Sequence, residues 1–181
     1  MIVGASAADN MLVADALAAF SAAGLEVPAL EIRFAATEAD CRGHLGLFEQ
    51  RAIRSRIHIC EAKDFVVTHE IAHVWAAVNL DREQREHYMR VRGLDNWNDW
   101  DAPWRERGIE DAAFVMQQNL TMDRVPLYSA TWVGRIEAFE ILTGQPSPLR
   151  ARSSDSLAAS DAPSFGRRAE SSSTAPRPLS W

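Results

Sequence analysis

Thr68-His69-Glu70-Ile71-Ala72-His73-Val74-Trp75 is the stretch on which the reading of this chain turns. Histidines four residues apart lie on one face of a helix, close enough for both imidazoles to hold a single metal ion. Glu70 stands about 100° round the helix from His69, beside such an ion rather than on it. From there its carboxylate can take a proton from a metal-activated water and later return it to a leaving group. Neutral imidazole suits zinc, and an open coordination position leaves room for that water.

The residues between and around the histidines agree with this use. Val67, Ile71, Val74, Trp75 and Val78 gather away from the histidines as a stripe expected to face the core. Ala72, Ala76 and Ala77 lie beside them and let another element approach closely. Two imidazoles inside so apolar a helix are costly to bury without a metal or hydrogen-bond partners. The helix is expected to start at an Asp64 N-cap and to run to about Asn79.

A catalytic zinc takes a third protein ligand, and the downstream segment Trp104-Arg-Glu-Arg-Gly-Ile-Glu110-Asp-Ala-Ala-Phe offers one. On a helix from about Gly108 to Leu120, the residues Ile109, Ala113, Met116 and Leu120 recur at helical spacing as a packing seam. Glu110 borders that seam and can point to the facing helix. Asp111 is rotated a further 100° or so and is expected to meet solvent. Gly108 removes a side chain where the backbone has to come close. Asp95, Asp99 and Asp101 are rival ligands on a loop without a packed scaffold.

Outward from the two helices, a fold class emerges. Asn10 to Ala23 suits an amphipathic helix stopped by Gly24. Leu30, Ile32 and Phe34 alternate with polar residues as in a half-buried strand. Leu45 to Glu49 and Arg56 to Cys60 read as two more strands, joined in a hairpin. Asp81 with Gln84 forms a capping box for a further helix that Gly93 stops. A Trp-rich loop follows, Leu94 to Glu106, and a last helix spans Thr131 to Leu142 before Gly144. The expected fold is α+β, a zincin-like domain with a short, mostly antiparallel sheet and helices carrying the zinc site. It occupies residues 1–144. Residues 145–181 are rich in Ser, Pro and Arg without periodicity, and are expected to form a disordered tail able to recruit a partner.

Composition narrows the function classes. Of 181 residues 47% are hydrophobic and 24% charged, the balance of a globular domain with a sizeable core. A net charge of -6 argues against nucleic-acid binding. No apolar run reaches the length of a membrane span, and Met11 to Phe20 lacks the basic lead of a signal peptide, so the expected location is cytoplasmic. Cys41 and Cys60 are then expected as two free, half-buried thiols, with a bridge between them as the alternative.

His69-Glu70-x-x-His73 followed by a helix bearing Glu110-x-x-Ala113 resembles the gluzincins, the thermolysin-type metallopeptidases. More narrowly, the chain is similar to small single-domain actinobacterial and phage-type proteins of that group, which pair the motif with a Trp-rich stretch and an Arg-Gly-x-Glu segment, here Arg107-Gly108-Ile109-Glu110. The resemblance spans roughly Leu30 to Gly144. It implies zinc held by His69, His73 and Glu110, peptide-bond hydrolysis with Glu70 as base, and an antiparallel edge strand that aligns a peptide or protein substrate. One departure stands out: thermolysin-like enzymes carry an Asp four residues after the glutamate ligand, and this chain has Phe114. For the residue that stabilises the oxyanion, Tyr88, His87, Tyr128, Arg107 and Arg135 are available, with Tyr128 placed first as the catalytic partner of Glu70. Trp97, Trp100 and Trp104 either wall a substrate pocket or pack their loop onto the core. The alternatives to a peptidase are a zinc-binding regulatory module with weak or no hydrolytic activity, and a zinc hydrolase of a non-peptide amide.

Overall fold

The alternation at Leu30, Ile32 and Phe34 does form a strand, but its neighbours run alongside it rather than against it. The computed structural model describes residues 1–35, 38–41, 43–50, 54–121 and 132–150. Its sheet has four strands, β1 (Ile2–Val3), β2 (Leu30–Phe34), β3 (Gly46–Glu49) and β4 (Ser55–Ile59), in the order β1-β2-β4-β3. β1 is parallel to β2 and β2 is parallel to β4, while only β3 runs antiparallel, along the outer edge of β4. The sheet is therefore mostly parallel, which corrects the antiparallel expectation. For the second of these pairs the reason is β3, which reverses the chain between β2 and β4, and for the first it is the helix α1 (Ala7–Ala22). Parallel neighbours cannot be joined by a tight turn, and α1 supplies the crossover between β1 and β2. The expected hairpin is present as β3 and β4, with Leu47 opposite His58 and Phe48 opposite Ile57.

One face of the sheet is apolar and covered by helices, and the other is polar. Leu30, Ile32, Ile57 and Ile59 point into the core. Arg56 and Glu31 lie on the outer face, with the Arg56 Nε 3.0 Å from the Glu31 carboxylate. Parallel sheets ordinarily have both faces covered and read as continuous apolar runs. This one keeps the alternation of a one-sided sheet.

The class is α+β. Each helix has a local cause. Ser6 caps α1 and exchanges a capping box with Asp9. The central helix α2 (Asp64–Asn79) begins one residue earlier than an Asp64 cap allows: Lys63 occupies the cap position and Asp64 is the first helical residue. Asp81 and Gln84 form the capping box of α3 (Arg82–Arg92), and Gly93 ends it at φ 67°, a left-handed conformation open to glycine at little cost. α4 (Gly108–Thr121) and α5 (Trp132–Thr143) complete the set.

α2 is the hub. It packs on β3 and β4, on α1, and along its length on α4. Every residue from Val66 to Ala76 is buried, so the helix is enclosed all round rather than along one stripe. Val78 is the exception to the expected stripe, 57% exposed near the C-terminal end. No helix among the described residues is long and apolar enough to cross a membrane.

Two further expectations are corrected. Cys41 and Cys60 are not free thiols but a disulfide. The turn before β3 and the end of β4 meet where the Leu45 carbonyl accepts from the backbone of Cys60 and Glu61, and the cysteine Cα atoms come to 5.7 Å. The folded part also extends past Gly144. Leu149 is 2% exposed, Ser147 donates to buried Asn119 at 2.5 Å, and Arg150 forks onto Glu140 at 2.7 and 2.8 Å. Residues 151–181 lie outside the described residues.

Candidate metal centre

His69 and His73 come from the buried middle of α2, and Glu110 from the first turn of α4. Helices as closely packed as these two need small residues between them. Ala72, Ala76, Ala112 and Ala113 are all fully buried. From far along the sequence, the Glu110 Oε2 meets the Nε2 atoms of both histidines at 3.3 Å. The three ligand atoms all lie within 4.8 Å of one another, and this His/His/Glu cluster could hold a metal ion. Bonds of about 2.0 Å at tetrahedral angles place ligand atoms about 3.3 Å apart, so both histidine–carboxylate edges already have the spacing a zinc-sized ion needs. Two imidazoles and one carboxylate also form a donor set that leaves a fourth position open.

Burial sets the protonation of this cluster. It lowers the pKa of His69 to about 4, the Glu110 contact offsetting only part of the effect. Burial acts on His73 the same way, but the neighbouring carboxylates of Glu110 and Glu70 outweigh it and raise that pKa. Glu110 itself is desolvated, yet the two imidazoles hold it down to about 2, an ionised carboxylate ready to ligate. At Glu70 burial outweighs the nearby His73 and raises the pKa to about 7, and its Oε2 has no hydrogen-bond partner among the described residues. A carboxylate poised near neutrality is what a general base requires.

The walls come from elements the motif does not reveal. Gly46 of β3 lies against Glu70, where a β-carbon would stand 2.3 Å from Oε1. Phe48, two residues along on the same strand face, stacks parallel to the His73 ring with centroids 6.0 Å apart. Phe114 sets its ring edge-on to His69 at 4.8 Å and meets Trp104 at 5.1 Å. The Nδ1 atoms of His69 and His73 find no partner among the described residues. A glycine inside a strand pattern is itself a signal of close approach, so Gly46 was open to detection; Phe48 and Trp104 carry no such mark.

The remaining candidates sort by position. Asp95, Asp99 and Asp101 are exposed on their loop, away from the cluster. Asp111 does not meet open solvent; it is half-buried in contact with Arg92 and Tyr88. That contact also withdraws Tyr88 from an oxyanion role. Arg107 is engaged by the carbonyls of Trp100 and Ala102, and His87 is exposed on α3. Arg135 is buried on α5. Tyr128 lies outside the described residues. His44 is exposed and His58 is 3.8 Å from Glu49 on the outer sheet face. Of the tryptophans, Trp97 packs against Gly108 and Tyr88, whereas Trp104 remains 43% exposed beside His69. Comparison with protein-family models, with curated proteins and with solved structures gave no match.

Proposed function

We propose that the chain is a zinc-dependent peptidase of gluzincin type, with a zincin-like domain in which His69, His73 and Glu110 hold the ion and Glu70 is the general base. The observation that carries this reading is the convergence of Glu110 on the two histidines beside a buried, unpartnered Glu70. Zinc in that cluster supplies Lewis acidity, acidifying a water and polarising the carbonyl under attack. Glu70 takes the proton from the attacking water on a carboxylate oxygen and hands it to the departing amine. Gly46 leaves the space that lets that carboxylate stand beside the ligands. Phe48, Phe114 and Trp104 hold the imidazoles in orientation and keep the site dry, which strengthens the charge interactions within it.

β3 supports a peptide as substrate. Among the described residues it is the terminal strand of the sheet, paired only to β4, and its outer edge can receive an extended chain by backbone hydrogen bonds. Partners would then be peptide or protein substrates, with no part for nucleic acid or membrane.

One observation favours a second reading. His69, Glu70 and His73 are each less than a tenth exposed. A metal enclosed to that degree also suits a regulatory module in which the ion organises the fold and turnover is weak or absent. Zinc-loaded protein and its Glu70→Gln variant, incubated with a mixed peptide library, separate the two. Cleavage that a chelator abolishes, zinc restores and Glu70→Gln lowers by orders of magnitude supports the peptidase. Equal zinc content without cleavage in either protein supports the module.

A further inference from the structure

Asp111 follows the third ligand of the cluster but takes no part in it. Its two carboxylate oxygens receive a fork from Arg92, Nε to Oδ2 and Nη2 to Oδ1, each at 2.7 Å. The Tyr88 hydroxyl, on a fully buried ring, adds a third donor at 2.6 Å. Both charged side chains are about five-sixths buried, at 15% and 16% exposure. The start of α4 is held a second way, since the amides of Gly108 and Ile109 donate to the carbonyls of Asn96 and Trp97 at 2.9 and 2.8 Å. The loop carbonyls fix where α4 begins. The grip on Asp111 fixes how the helix is turned about its own axis.

That rotation decides whether Glu110 reaches the cluster. A side-chain tip lies about 6 Å from the helix axis, so a turn of about 10° moves it by about 1 Å. Metal–ligand distances tolerate about 0.2 Å. The apolar face of α4, with Ala112, Ala113, Val115, Met116 and Leu120, makes contacts of no fixed direction and cannot by itself hold an angle that closely. A bidentate guanidinium–carboxylate pair can, because both of its hydrogen bonds have fixed directions.

We propose that Asp111, gripped by Arg92 and Tyr88, is a positioning residue for the metal site: it sets the rotation of α4 that presents Glu110 to His69 and His73. Metal affinity then depends on α3, a helix that contributes no ligand. The proposal rests on the cluster being a metal site.

The test uses the full chain and zinc alone as ligand. Zinc affinity is measured by competition against a chelator for the wild type, Asp111→Asn, Arg92→Lys and Tyr88→Phe. The visible absorption of the Co2+-loaded proteins reports coordination geometry. Leu142→Ala, a core truncation on α5, serves as a control of lowered stability. The expected result is a loss of zinc affinity of roughly 10- to 100-fold in Asp111→Asn, a smaller loss in the other two, and an altered Co2+ spectrum. Leu142→Ala should bind as the wild type does, since a chain that remains folded binds with its native affinity. If Asp111→Asn fails to fold, Arg92→Lys and Tyr88→Phe decide the matter. Folded variants with wild-type affinity and spectrum, or an equal loss in Leu142→Ala, would overturn the positioning role alone. A wild type that binds neither Zn2+ nor Co2+ would overturn the metal reading and this proposal with it.

Discussion

Replacing Gly46 by alanine adds a single methyl group where β3 lies against the proposed catalytic base. The new β-carbon would lie 2.3 Å from Glu70 Oε1 and 2.6 Å from both Cδ and Cγ, against ordinary contacts that begin at 3.4 Å. Relief therefore needs a shift of about 1 Å. Rotation of the carboxylate alone does not provide it, because the overlap reaches Cγ and Glu70 is enclosed at 5% exposure. The alternatives are an off-rotamer Glu70 or a displacement of β3, which among the described residues is paired on one side only. Overpacking of this kind costs about 1–3 kcal/mol, a fall of about 1 M in the urea midpoint for a domain of this size. Gly46 has no positive φ, so backbone strain adds nothing. The ligands come from α2 and α4, so zinc affinity should stay at the wild-type value. A base misplaced by about 1 Å should lower turnover by about 100-fold. Urea denaturation, chelator competition and peptide cleavage on the same preparation read all three quantities. Wild-type stability together with wild-type turnover would show that Gly46 does not pack on Glu70 and would refute the geometry on which the base assignment rests.

Other perturbations separate the remaining claims. Glu110→Ala leaves two protein ligands, so zinc content after dialysis against a chelator should drop to near zero; retention at the wild-type level would remove Glu110 from the site. Saturating the wild type with zinc at 100 times its dissociation constant should raise its unfolding free energy by about 2.7 kcal/mol, and calorimetry with no rise in midpoint would argue against binding to the folded state. Reducing the Cys41–Cys60 bridge, which closes a loop across a sequence separation of 19, should cost about 3 kcal/mol; coincident urea curves for oxidised and reduced protein would contradict that. Truncation after Gly144 removes buried Leu149 and the Arg150–Glu140 pair and should lower stability by about 2–3 kcal/mol, whereas truncation after Arg150 retains both. A denaturation midpoint shared by the two truncations would mean that Leu149 contributes nothing.

What the sequence determined by itself was most of what depends on short spacing, the cap of α2 at Lys63 rather than Asp64 being an exception. The i, i+4 separation of His69 and His73, the capping box of Asp81 and Gln84, the stop at Gly93 and the β3–β4 hairpin follow from backbone geometry within a few residues. The placing of Glu110 also came from local periodicity, since its position beside the Ala113 and Met116 seam fixes which way it points. The tertiary structure decided what depends on partners far along the chain. Sheet direction went unread because β1 is two residues long, too brief to register as a strand, and without it α1 has no visible role as a crossover. The alternation of β2 and β4 then pointed to the wrong pairing, since a sheet with one polar face looks antiparallel whatever its strands do. Asp111 was read as solvent-facing from helix rotation alone, a rule that cannot know Arg92 and Tyr88 stand opposite. The disulfide and the packing of Leu149 have the same origin. Period and capping are written into neighbouring residues, while burial and pairing are set by whatever the folded chain brings up against them.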